Sequence, residues 1–116
     1  MNAKYVKLVS RLIEITKDGR LEWRRSSSES QYILELDSAT FTITKSMSMN
    51  AITAYTLIMY NDKNIEITIA SGDTLVNQED FQTLKTLYEA AIESFFKENE
   101  TLKRVMEELE RLSLPF

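Results

Sequence analysis

Apolar residues recur every three or four positions at both ends of this chain and every second position in between, and that change of period fixes the fold class. At the start, Tyr5, Leu8, Val9, Leu12, Ile13 and Ile15 fall on one helical stripe, with Lys4, Lys7, Arg11 and Glu14 on the opposite side. Asn2 is placed to cap this helix, and Asp18-Gly19 supplies a left-handed stop. Arg20 to Arg25 then alternates Leu21 and Trp23 with charges, as a short edge strand or an extended segment does. Ser26 to Ser30 is a polar loop.

The middle of the chain has the period of strands. Tyr32, Leu34 and Leu36 share a face, and Phe41 and Ile43 alternate with threonines after a turn expected at Ser38-Ala39. Ser46 to Asn50 reads as a loop before the β-branched and aromatic run Ile52 to Tyr60. Asn61-Asp62-Lys63-Asn64 is a turn into Ile65 to Ala70, where Ile65, Ile67 and Ile69 are expected to face the core. Gly72 reads as a turn residue, with Asp73 bonding the local backbone.

The last third returns to the helical period. Asn77 is placed to cap it, with Asp80 in a capping-box-like position. Apolar residues follow a seven-residue repeat from Phe81 through Leu84, Tyr88, Ala91 and Phe95 to Leu102, Val105, Leu109 and Leu112. The repeat breaks at Glu98, which leaves either one long helix or two with Asn99 capping the second, and two is the favoured reading. The expected fold is a single α+β domain over residues 1–116. It has an N-terminal helix, an antiparallel meander of about four strands, and one or two C-terminal helices packed on one sheet face.

Composition narrows the chemistry. The 116 residues include neither Cys nor His, so thiolate and imidazole chemistry is excluded, and with it the commonest metal ligands. Gly19 and Gly72 stand alone, without the glycine spacing of a phosphate loop. Glu89 and Glu93 share a helical face but lack the Glu-x-x-His motif of helical di-metal sites; Lys85 and Lys97 are placed to pair with them. Ser46 beside Lys45, or Ser10 near Lys7, would need an oxyanion hole that no sharp turn provides. The sequence therefore predicts no enzyme and no cofactor. No leader and no bilayer-spanning stretch is legible, which predicts a cytoplasmic protein with no membrane partner.

Two surfaces remain. Net charge is −4, yet Met1 to Arg25 holds seven basic residues against three acidic ones. Within it Lys17, Arg20, Arg24 and Arg25 surround Trp23, a candidate nucleic-acid patch with one stacking platform. The plainer reading makes Trp23 a core residue and the charges a guard on a strand edge, and the sequence favours it. The second surface is the stripe Leu102, Val105, Met106, Leu109, Leu112 and Phe116, which would bind a partner or a second copy. Against that stands burial of the same stripe beside the N-terminal helix, the more expected outcome in a domain of this size.

Leu12-Ile13-Glu14-Ile15-Thr16-Lys17-Asp18-Gly19-Arg20-Leu21-Glu22-Trp23 is similar to the opening of small uncharacterised bacterial and mobile-element proteins. These begin with a helix and T-K-x-G-x-x-x-W, followed by a strand meander. They then carry a Leu-x-x-Leu-Tyr helix, here Leu84-Lys85-Thr86-Leu87-Tyr88. The resemblance implies a bacterial or phage origin and no catalytic residues. The leading expectation is a non-enzymatic adaptor or accessory protein acting by protein–protein contact, with a homodimer as one form of that contact. The rivals are a nucleic-acid-associated regulator, and an acidic immunity or chaperone-like protein masking a basic partner through Glu107, Glu108 and Glu110.

Overall fold

The computed structural model describes residues 1–114 and runs α1 (Ala3–Lys17), β1 (Arg24–Arg25), β2 (Gln31–Glu35), β3 (Ala39–Met47), β4 (Thr53–Asn61), β5 (Glu66–Asp73), α2 (Gln78–Phe96) and α3 (Glu98–Ser113). The α+β class is as expected. The strands form one antiparallel sheet in chain order, β1 to β5. It has five strands, because Arg24–Arg25 pairs with Tyr32–Ile33 at the edge.

Helix α1 starts and stops where its sequence dictates. The Asn2 side chain accepts from the Lys4 N–H at 3.1 Å. At the other end Gly19 takes φ 78°, the Gly19 N–H reaches the Thr16 carbonyl, and the Arg20 N–H reaches Ile15. That pair of bonds is a Schellman ending, which satisfies two carbonyls the helix would otherwise leave open.

One face of the sheet makes the core. Leu34, Ile43 and Leu57 from the strands meet Leu84 and Leu87 of α2, all essentially sealed from solvent. Helix α2 lies on the sheet and α1 packs against α2, placing Val9 and Leu12 in the same cluster. Tyr32, Tyr55, Phe81 and Tyr88 interlock edge-on or tilted at 5.2–5.5 Å between ring centres. The opposite sheet face carries Thr40, Thr42, Thr44, Thr56 and Thr68 beside Ile33 and Ile58, and no described helix lies on it.

Several local expectations are corrected. The first hairpin turns on Asp37-Ser38, closed by the Leu36 N–H to the Ala39 carbonyl at 2.9 Å. Strand β3 runs on to Met47, into what the sequence suggested was loop. Ile65 and Leu36 are exposed, and each lies just outside its strand, Ile65 before β5 and Leu36 after β2. A bulge pairs Leu57 with Ala70 and Ile58 with Thr68, leaving Ile69 as the extra residue. The phase of β5 therefore flips, and Ala70 and Gly72 take the core side after Ile69.

Gly72 is no turn residue but a point of close approach. A Cβ there would lie 2.6 Å from the Asn77 carbonyl oxygen and 2.8 Å from the Phe81 nitrogen. Asn77 itself is left-handed and its side chain caps nothing; Asp80 takes the Met1 ammonium at 2.7 Å instead of closing a capping box. Asp73 accepts from the Leu75 and Val76 N–H groups, as its local role required.

Candidate interaction surface

Helices α2 and α3 are joined by one residue. Lys97 adopts φ 50°, a left-handed conformation that turns the chain between two helices. The Lys97 N–H closes α2 on the Glu93 carbonyl at 2.7 Å. The Glu93 carboxylate then reaches across the joint to accept from the Asn99 N–H at 2.9 Å. It caps α3 from the preceding helix, the role the sequence suggested for Asn99, and places negative charge at the helix's positive end. Of the two readings the sequence allowed, one long helix or two, the structure has two, and the device joining them is Glu93 with Lys97. Lys97 approaches Glu22 at 3.9 Å rather than a carboxylate of its own helix.

Beyond that elbow no described residue is buried. Every described residue from Phe96 to Leu114 is exposed. The burial of the Leu102–Leu112 stripe beside α1, which the sequence favoured, does not occur. Leu102, Val105, Met106, Leu109 and Leu112 remain 44–67% exposed. Val9 and Leu12 of α1 are buried where α1 packs against α2, and the chain after Lys97 leads α3 away from both. Of the sheet-covering helices expected, α2 fills the role and α3 does not. Phe116 lies outside the described residues.

At the elbow Phe96, Glu98, Thr101, Leu102 and Val105 line an open, mainly apolar groove of about 430 Å³. Phe96 is braced by Phe95 at 4.9 Å, edge to face, and the Arg25 guanidinium sits 5.4 and 5.5 Å from the two ring centres. The polar side of α3 is organised for water, with Arg104 bridging to Glu100 one turn back.

The basic patch is dispersed. Trp23 is buried, so it offers no face for a base to stack on. Its indole N–H donates to Thr16 Oγ1 at 3.1 Å and its backbone N–H to Ser94 Oγ at 3.2 Å, while Ser94 Oγ donates to the Leu21 carbonyl. Arg24 and Arg25 are consecutive in β1 and point to opposite faces: Arg24 pairs with Glu35, and Arg25 lies on the phenylalanines. Arg20 bonds to Asp18 at 3.3 Å. Lys17 lies on a cleft of about 330 Å³ whose charged lining is Lys17 and Lys97 against Asp18, Glu22, Glu93 and Glu100. That balance repels phosphate.

Among the described residues no three carboxylates converge as a metal cluster, and no helix is long and apolar enough to cross a membrane. No family model, curated protein or solved structure matches the chain. The sequence marks α3's residues but not its freedom. The one-residue elbow carried a weak signal, the missing apolar residue at Glu98; Gly72's packing role carried none.

Proposed function

We propose that this protein is a non-enzymatic binding protein whose recognition element is α3. The carrying observation is a two-heptad apolar stripe, carried off the domain after the Lys97 elbow, with none of its described residues buried. Amphipathic helices of this kind bind by laying an i, i+3, i+4, i+7 face into an apolar surface on another protein. Leu102, Val105, Met106 and Leu109 present that spacing. A chain without imidazole or thiol leaves little for bond-making, which supports the same reading.

A photo-reactive amino acid at position 109, introduced in the native host, tests this. The expected result is a covalent adduct with protein, absent when the same group replaces Lys7 on the outer side of α1. Equal labelling at both positions, or none at 109, removes α3 as the binding element.

A further inference from the structure

We infer that α3 is occupied by α3 of a second copy, the two helices running antiparallel; this rests on the reading of α3 as a binding surface. The stripe is self-complementary. With Leu102 and Leu109 in the a positions of a heptad and Val105 and Leu112 in d, an antiparallel pair stacks Leu102 on the partner's Leu112 and Val105 on the partner's Leu109. Each inter-helix layer is then filled by aliphatic side chains.

The elbow supports this direction. In the antiparallel pair, the open groove beside Phe96, Leu102 and Val105 receives the C-terminal end of the partner helix, with Leu112 and Leu114 exposed there. Both copies fill both grooves by the same two-fold operation, so the contact closes on itself. The parallel alternative puts both domains at one end of the pair. Paired helix axes lie about 8–10 Å apart, whereas the molecule measures 37 by 28 Å across its two shorter axes. Antiparallel helices place the domains at opposite ends instead.

The area on offer is at most that of a small specific interface. Six side chains from Phe96 to Leu112 are 44–67% exposed. With aromatic side chains offering roughly 150–250 Å² and aliphatic ones less, they present on the order of 600 Å² per copy. A specific interface needs about 1,000 Å² in total, and standard ones use about 800 Å² per partner. The seam's flanks are nearly uncharged: Asn99, Thr101, Met106 and Ser113, with Glu108 the one ionised residue. Near the two-fold axis Met106 meets its own copy on one side and Glu108 meets its own on the other. The first contact favours pairing and the second opposes it.

Sedimentation equilibrium of the purified full chain, from about 5 to 500 µM, tests the pairing. The expected mass rises to twice the chain's 13.5 kDa, Leu109→Glu stays at the single-chain mass with unchanged circular dichroism, and Glu108→Gln tightens the dimer severalfold. Because the native chain lacks cysteine, direction is read by single substitutions. Met106→Cys oxidises to a covalent dimer and Leu112→Cys does not. A wild-type chain that stays monomeric throughout overturns the inference, as does efficient cross-linking of Leu112→Cys, the signature of parallel helices. If the pure chain is monomeric while position 109 still captures a different protein in cells, the second copy is wrong and the binding role of α3 survives. Failure of both experiments removes both.

Discussion

The indole Nε1 of Trp23 donates to Thr16 Oγ1 at 3.1 Å, tying the segment after the Gly19 turn back onto the last turn of α1. Both residues are buried. The seven-residue spacing from Thr to Trp is therefore that of a helix ending folded onto itself, and the tryptophan serves the core.

Replacing the hydroxyl by a methyl isolates that bond. Thr16→Val leaves a buried indole N–H without a partner, which costs about 1–3 kcal/mol. Urea unfolding is expected to show this loss, with Thr16→Ser closer to wild type. Equal stability of Thr16→Val and wild type would mean the bond contributes nothing net.

Gly72→Ala forces a methyl into the Asn77–Phe81 backbone, where contacts of 2.6 and 2.8 Å leave no flexible side chain to give way. Overpacking of this kind costs about 1–3 kcal/mol. A lowered thermal midpoint is expected, with faster amide exchange at the start of α2. An unchanged midpoint would show that β5 and α2 separate without penalty.

On the uncovered sheet face Thr42 Oγ1 is buried with no hydrogen-bond partner. Thr42→Val keeps the β-branched shape and removes the stranded hydroxyl, so stability is expected to rise by about 1 kcal/mol. A loss on that substitution would reveal a bond to Thr42.

Burial pushes the Tyr55 phenol above its ordinary value, with the nearby Glu89 charge adding to it. The Tyr88 phenol is raised by burial first, then by Tyr32 and Tyr55. A group whose folded pKa exceeds its unfolded one holds its proton more tightly when native. Its contribution is complete below an unfolded value of about 10 and is lost as pH climbs through the folded value. Unfolding free energy is therefore expected to hold up to about pH 10 and fall above it, less steeply in Tyr55→Phe. Ionisation of Tyr55 or Tyr88 at its ordinary value in the folded protein, read by phenolate difference absorbance, would contradict this.

What the sequence made legible was local. Asn2 and Gly19 bound α1 through bonds to their own neighbours, and Tyr32, Leu34, Phe41 and Ile43 face the core because strand alternation requires it. What stayed hidden depends on partners far along the chain. The extra residue at Ile69 is defined only by where β4 pairs, and Gly72 is needed only because α2 crosses it closely. The candidate site shows the same division. Leu102 to Leu112 has one pattern whether it folds back or stands free, and what decides is the path the chain takes through Lys97.

The stripe's freedom is most directly measured by urea unfolding of Leu102→Ala and Leu109→Ala at low micromolar concentration. Helix α3 as a surface outside the core predicts stability within about 0.5 kcal/mol of wild type for both. A loss of about 2–5 kcal/mol, the range for truncating buried leucines, would place these side chains inside the fold and contradict the binding role of α3.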